Sequence, residues 1–558
     1  MNFAFISYET PFAPGGGIAA VIGQLPGYVK TASGLPTVVI SPFHHKIARM
    51  ATLTTNCIGE ISVPFEKQAI TVSIRHYDDK WPWYFLLPED KQFFAGERHP
   101  YDVGKTQKQT STNLLRDALF FGVMVRHTLE VIEPGARWTL MMQDWEAATT
   151  ALALAKSGAP HKLFLTLHNS YDSGAVGAKQ LRSVGIKPRN CPGPTGKKKA
   201  TVLERVLPLI EPPVFTVSKQ FALDLAEDTF QSKVMADHLQ EMLKPRLVGV
   251  DNGPFADLAV RNDILAEAKQ DNFIPLRNWK TTKRAEALQA LDQFTASEDK
   301  PVWGDIQKFK RDNSAWFALA GRDDPRQKGY DVAVRAIGKF LDQGGNARFL
   351  FFPIPGDEGI AGLDFLRKLS EKFPESVLVL PFLFREGYFA ALQGSTYGVM
   401  PSLYEPFGMA NEFYLNGTVG IGRATGGIIE QIVPLRTLPS FTQAVQNRAD
   451  RWHDTSAPAT GILYREADDL PSVVDDWRGI NATSYKAKGK KTDRVEERQK
   501  FALFEAMAEA LYHSLVDSIQ VYEQTPDLYY QMLTAGIAHI QKNFSWERSA
   551  KEYLSHLK

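Results

Sequence analysis

Short apolar runs alternate along the chain with longer amphipathic ones, the pattern of βα units that build a mostly parallel sheet. In the first half the runs predict strands at Phe3–Ile6, Pro36–Ile40, Thr139–Met142, Leu163–Leu167, Val214–Val217 and Leu247–Val250. The second half repeats the scheme at Trp316–Ala320, Arg348–Phe352, Val377–Leu380, Tyr397–Met400 and Val419–Ile421. Between the two sets lies a polar, helix-prone stretch, Asp263 to Asp312, with little strand character. The pattern therefore predicts two open α/β domains, residues 1–262 and 313–529, joined by a helical linker region, 263–312. The final segment, 530–558, reads as helix.

Composition narrows the class. Hydrophobic residues are 44% of 558 and charged residues 23%, which is globular and excludes bulk disorder. Lys+Arg 64 against Asp+Glu 63 leaves +1, with no excess to attract nucleic acid or an acidic membrane. Two cysteines, Cys57 and Cys191, exclude a disulfide framework and a cysteine-rich zinc site. No apolar run is long enough to span a bilayer, and the start lacks the basic region of a signal peptide. A soluble, cytoplasmic protein is expected.

Two stretches are locally basic. Lys187 to Lys199 ends in Lys197-Lys198-Lys199, and Asn481 to Lys500 carries seven basic and three acidic residues. Both read as solvated, mobile loops. Gly193-Pro194-Thr195-Gly196-Lys197-Lys198 is not a phosphate loop, because its glycines are too close together and no strand precedes it.

The chemistry-bearing residues cluster after predicted strands. Gly15-Gly16-Gly17 follows Phe3–Ile6 and precedes an apolar helix, a place where unpaired N–H groups suit a phosphate or where a tight turn is merely structural. The full dinucleotide-binding spacing is absent, which disfavours an NAD dehydrogenase. His168-Asn169, Asp144-Trp145 and Asp251-Asn252-Gly253 end three strands of one sheet and are expected to converge on one crevice. In the second half Gly321-Arg322 and Lys328-Gly329 offer a planar fork, a point charge and backbone donors, which suit a diphosphate better than a solvated turn. Strand Tyr397–Met400 leads to Glu405, Gly408 and Glu412, with Glu412 expected about two turns into a helix, where it would hold a ribose. Thr425-Gly426-Gly427 adds a second glycine turn. Sugar, phosphates and ribose in line describe a nucleotide-sugar site.

At these residues the sequence resembles the retaining glycosyltransferases of the two-Rossmann-domain GT-B architecture, most closely the bacterial glycogen and plant starch synthases. The likeness runs in order through Gly16-Gly17-Ile18, Gln24-Leu25-Pro26 and Phe93 to Tyr101. It continues through Asp144-Trp145, Thr166 to Asn169, Thr216-Val217-Ser218, Asn252-Gly253, Gly321-Arg322 and Gln327-Lys328-Gly329. It closes with Met400-Pro401-Ser402, Glu405 to Gly408, Thr425-Gly426-Gly427 and Phe544-Ser545-Trp546.

The resemblance implies two Rossmann-like doubly wound domains facing each other across a cleft that closes by hinge motion, the last helix crossing back to the first domain. It implies transfer of glucose from ADP-glucose or UDP-glucose to the non-reducing end of an α-1,4-glucan, with retention. Arg322 and Lys328 would hold the diphosphate, Glu405 the sugar hydroxyls and His168 the sugar from the amino-terminal side, with Asp144 and Asn252 nearby. Asn169, Gly16, Gly17, Gly408, Glu412, Thr425, Gly426 and Gly427 complete the expected substrate contacts. No carboxylate matches a covalent nucleophile, which fits a front-face route, and no metal or other cofactor is required. Pro14 and Ala20 stand where the family carries a lysine and an aspartate in the phosphate cradle and acceptor region. The Arg322-to-Lys328 spacing is one residue longer, and the stretch from Glu405 to the next glycines one shorter. Two other readings remain at this stage: a transferase of this architecture with a small sugar or polyol acceptor, and a catalytically silent glucan-binding protein. Retention of Arg322, Lys328, Glu405 and His168 argues against the second.

Overall fold

The computed structural model describes residues 2–155, 158, 160–194, 199–309, 314–356, 358–485 and 494–557. The chain forms two compact units, Met1–Gly253 with Ser545–Lys558, and Pro254–Phe544.

The first unit is built on nine strands: β1 (Asn2–Ile6), β2 (Thr37–Pro42), β3 (Asn56–Phe65), β4 (Gln68–Asp78), β5 (Pro82–Pro88), β6 (Trp138–Gln143), β7 (Lys162–Leu167), β8 (Val214–Thr216) and β9 (Leu247–Gly249). Their order in the sheet is β3-β4-β5-β2-β1-β6-β7-β8-β9. From β5 to β9 all neighbours are parallel; β3 and β4 add an antiparallel arm. The central strands β1, β2 and β6 are buried throughout, so they are apolar on both faces, as a sheet covered by helices requires.

The second unit has six parallel strands: β10 (Ala315–Arg322), β11 (Ala347–Ile354), β12 (Val377–Val379), β13 (Tyr397–Met400), β14 (Val419–Arg423) and β15 (Ile462–Tyr464). Their order is β12-β11-β10-β13-β14-β15. This is the doubly wound 3-2-1-4-5-6 arrangement, with its reversal between β10 and β13. In the first unit the reversal falls between β1 and β6.

Three expectations change. The stretch 263–312 is not a separate linker but part of the second unit, which begins at Pro254. Helix Ile274–Gln293 packs Ala287 and Leu291 into a core with Phe309, Trp316, Leu350 and Leu378. Lys280, on the same helix, is buried and donates to the carbonyls of Gln393, Ser395 and Gly417. The carboxyl-terminal segment is two helices rather than one. Pro526–Asn543 stays with the second unit, and only Trp546–His556, capped by Ser545, joins the first. There Tyr553 packs on Phe215, and a Cβ at Gly253 would collide with the Trp546 ring.

The basic stretches are the third. Residues 195–198 and 486–493 lie outside the described residues, including much of Gly193 to Lys198. The described ends of both stretches are anchored. Cys191 is buried, and Arg498 is completely so, where solvated loops were expected.

Candidate active site

Ligands of doubly wound sheets gather at the carboxyl ends of strands where the strand order reverses. In the first unit that place holds Glu9, just after β1, and Asp144, just after β6. Glu9 Oε2 accepts the backbone N–H groups of Gly15 (2.8 Å) and Gly16 (2.5 Å), and Oε1 accepts the Tyr101 hydroxyl (2.6 Å). The donors expected to stand unpaired before helix Gly17–Ile22 are thus satisfied by an internal carboxylate. The Gly15 and Gly16 N–H groups are therefore not open phosphate donors. The shape of Gly16 and Gly17 does not demand a phosphate cradle either: Gly16 is extended at φ −171°, and a Cβ on Gly17 would meet nothing within 4 Å.

Asp144 sits in the left-handed region at φ 58°, which costs a non-glycine residue ~1–3 kcal/mol and is tolerated mainly at functional positions. Its carboxyl accepts the His168 backbone N–H (2.6 Å) and Asn169 Nδ2 (2.8 Å). Burial pushes Asp144 up to about 8, with the Glu9 charge adding to the shift. Asp144, His168 and Asn169 therefore meet as expected. Asn169 spends its amide inside this network, since its Oδ1 also accepts the Tyr171 N–H (2.7 Å).

Burial pushes His168 down to about 3, so its imidazole is neutral. Gln143 Nε2 donates to Met141 O (3.0 Å), which turns Oε1 towards His168 Nε2 (2.8 Å). The Nε2–H tautomer follows, leaving Nδ1 as the ring's acceptor. Asn252 does not join this group. It follows β9, two strands beyond β7, and its buried Oδ1 has no hydrogen-bond partner among the described residues.

In the second unit Arg322 ends β10 and Lys328 precedes helix Tyr330–Asp342. Lys328 Nζ lies 2.7 Å from Glu405 Oε2, in the loop after β13. The same carboxylate accepts Ser402 Oγ (2.9 Å) and Gln327 Nε2 (3.3 Å). Leu403 N–H donates to Gln327 O (2.7 Å), stitching the two loops together. Arg322 is half-exposed, 3.8 Å from Asp324.

The glycines shape this site more than they line it. Gly427 N–H donates to Glu405 O (3.1 Å), so it is not an open donor. Gly426, at φ 49°, packs so tightly that a Cβ would collide with the Glu405 carbonyl, and one on Gly427 would strike the carbonyl of Phe407. Gly408, at φ 92°, faces the Glu405 side chain. Thr425 is buried beside them. Glu412 lies in the first turn of the six-residue helix Ala410–Leu415, not two turns in, because that helix starts only after the turn at Gly408. Burial raises its carboxyl to about 7 against the pull of the Lys328 charge.

With this geometry the likenesses to known proteins are specific. The sequence model of the starch synthase catalytic domain matches residues 2–241. The glycogen synthase of Thermosipho melanesiensis is 26% identical over 455 residues, covering 78% of this chain and 85% of that protein. That of Haemophilus influenzae is 24% identical, covering 82% and 87%. The catalytic domain of Arabidopsis thaliana starch synthase IV, solved with ADP and acarbose, superimposes with TM-score 0.67 at 16% identity, covering 100% of this chain and 98% of that one. The chain is a glycosyltransferase of GT-B architecture, similar to the glycogen and starch synthases.

Glu9 and Gln143 of this glycosyltransferase's two sites are not singled out by sequence reading, and Gln327 and Ser402 enter it only inside longer motifs, with no role of their own. Each holds a residue that is singled out. Glu9 leaves a sequence trace of another kind, a carboxylate a few residues before three glycines. Glu146, two residues after Asp144, is buried, and burial with the Asp144 charge raises its carboxyl well above the usual range. Among the described residues no group of three or more His, Cys, Asp or Glu is placed to hold a metal ion.

Proposed function

We propose that this glycosyltransferase moves glucose from ADP-glucose or UDP-glucose to the non-reducing end of an α-1,4-glucan, with retention, in the cytoplasm. The observation that carries the reading is the Lys328–Glu405 pair beside Arg322 at the reversal of the second sheet. A diphosphate arriving there would take the ammonium from Glu405 and free that carboxylate for two vicinal sugar hydroxyls. Arg322 and Lys328 would then stabilise the charge that grows on the departing phosphate, where one such donor is worth ~3–4 kcal/mol. Glu405 accepts hydrogen bonds and moves no proton. The likeness to glycogen synthases supports a glucan acceptor, and the buried carboxyl cluster of the first unit suits a neutral, hydroxyl-rich ligand. His168 Nδ1 would accept from a sugar hydroxyl. No metal ion enters the scheme, since Arg and Lys supply the positive charge.

The test is release of nucleoside diphosphate from ADP-glucose and from UDP-glucose, each with glycogen, with glucose or a polyol, and without acceptor. The expected result is glycogen-dependent release with one donor, unchanged by EDTA, and an α-linked product by proton NMR. Release only with the small acceptors would replace the glucan by a small sugar. No release with any acceptor would mark a silent glucan binder, and loss in EDTA restored by magnesium would overturn the metal-free scheme.

A further inference from the structure

The stretch 481–500 does something its charge does not suggest. Its described ends close on themselves, with Arg494 N–H donating to Tyr485 O (2.9 Å). Arg498, at the end of the single turn Val495–Arg498, is fully buried and bonds through all three guanidinium nitrogens. Nε donates to Asp331 Oδ2 (2.6 Å), Nη2 to Pro325 O (2.8 Å), and Nη1 to the carbonyls of Ile480 and Thr483 (2.8 Å each). The Tyr485 hydroxyl donates to the other Asp331 oxygen (3.2 Å), and its ring lies 5.3 Å from the guanidinium and 4.7 Å from Phe365.

These contacts bracket Lys328. Pro325 stands three residues before it and Asp331 three after. The intervening loop is a compact turn: Asp324 O accepts the N–H groups of Gln327 (3.0 Å) and Lys328 (2.9 Å), and Asp324 Oδ1 accepts that of Arg326 (3.0 Å). Left-handed glycines flank it, Gly321 at φ 131° and Gly329 at φ 61°. A turn between two such positions can swing as a piece unless something outside it fixes its middle. Arg498 grips it there and on the following helix at once, through a planar fork that a lysine cannot reproduce. The loop is also the one with an extra residue between Arg322 and Lys328.

We propose that Arg498, seconded by Tyr485, is a positioning residue for Lys328, so that these two anchored side chains set the affinity of the second unit for the diphosphate of the donor. The inference rests on the assignment of Lys328 to the diphosphate made above. A purely structural role would cost stability without favouring phosphate over base.

The test uses the full chain and four variants: Arg498→Lys, Tyr485→Phe, Lys328→Ala, and Lys280→Met as a buried polar anchor away from the loop. ADP, UDP, adenosine and uridine are titrated calorimetrically into each, and the melting temperature is recorded. Loosening a hydrogen bond between charged partners costs roughly 10–100-fold in affinity. Arg498→Lys should therefore weaken diphosphate binding roughly tenfold or more and leave nucleoside binding unchanged, with Tyr485→Phe following in smaller measure. Lys280→Met should melt earlier with diphosphate affinity intact. Should Arg498→Lys fail to fold, Tyr485→Phe decides alone, by weakened diphosphate binding at unchanged nucleoside affinity. Unchanged diphosphate affinity in the folded variants, or equal losses for nucleoside and diphosphate, overturns the proposal. If Lys328→Ala itself binds diphosphate as tightly as the parent, the assignment of Lys328 fails first, and the inference falls with it.

Discussion

The loops after β1 and β6 in the first unit and those after β10 and β13 in the second occupy the same topological position on like sheets, yet they carry opposite chemistry. In the first, the carboxyls of Glu9, Asp144 and Glu146 crowd a buried site, and burial holds Asp144 near 8 and Glu146 well above the usual range. The helix start that might have received a phosphate is filled by Glu9. In the second, Lys328 pairs with Glu405, and the half-exposed Arg322 lies 3.8 Å from Asp324. Sheet topology decides where a ligand sits, and the loop side chains decide which ligand. A protonated carboxyl and a neutral imidazole suit hydroxyl groups; a cation pair suits a diphosphate.

The largest test of that contrast is removal of the cations. Lys328→Ala and Arg322→Ala should each lower kcat about 10²–10³-fold at saturating donor, since one charge-stabilising donor is lost. Glycogen binding, measured by co-sedimentation, should hardly change. Near-full kcat in either variant contradicts the diphosphate assignment. Glu405 comes next. Glu405→Ala leaves sugar hydroxyls unpaired at a cost of ~1–3 kcal/mol, and Glu405→Gln keeps a neutral partner and should suffer less. Both should bind ADP or UDP at least as tightly as the parent, because the competitor for Lys328 is weakened or gone. Lost diphosphate binding in Glu405→Ala would mean that the residue holds the loops together instead.

The strands that carry these sites are legible because they are buried on both faces: Asn2–Ile6 and Val419–Arg423 show no exposed position. The arm β3–β5 escapes the same reading. Strands β3 and β4 mix exposed and buried positions and carry Glu60, Arg75 and Asp78, so no continuous apolar run marks them, whereas β5 is apolar throughout and is not singled out although it could have been. β15 also escapes, although β8, β9 and β12, equally three residues long, do not. Polar residues at strand ends are legible as candidates, and Asp144, His168, Lys328 and Glu405 are found that way. What they touch is not. Glu9 meets Tyr101 across 92 residues, and Arg498 meets Asp331 across 167. A charge run such as Arg494 to Lys500 reads as solvated until a distant carboxylate is seen to bury one of its members.

Glu9 offers a smaller effect with the opposite sign of specificity. Glu9→Gln replaces a charged acceptor of two backbone N–H groups and a phenol by a neutral amide. Charge-assisted bonds are roughly twice as strong as neutral ones, so the loss should be about 1–2 kcal/mol of stability, read as a lower denaturation midpoint. ADP and UDP affinity should stay at the parent value, because the diphosphate belongs to the other unit. A diphosphate affinity that collapses in Glu9→Gln would place the phosphate in the first unit and reverse the comparison.

The last test separates the two sites by pH. The folded carboxyl of Asp144 sits at about 8 against an ordinary 3.8, chiefly through burial. Between those values the folded chain holds a proton that the unfolded chain has released. Stability from this group is therefore full at low pH and is lost as pH rises towards 8, at up to ~1.4 kcal/mol per pH unit for a single site. Asp144→Asn is neutral throughout and should lack that slope. It pays a constant cost instead, because its amide turns a donor towards Asn169 Nδ2, itself a donor. Melting curves from pH 5 to 8 should show the parent losing up to ~4 kcal/mol relative to the variant, about 8–16 °C, since ~1 kcal/mol moves a unit of this size by about 2–4 °C. Parallel curves for parent and variant would mean that Asp144 is ionised in the fold. The first site would then be anionic, and its suitability for a neutral sugar would have to rest on His168 alone.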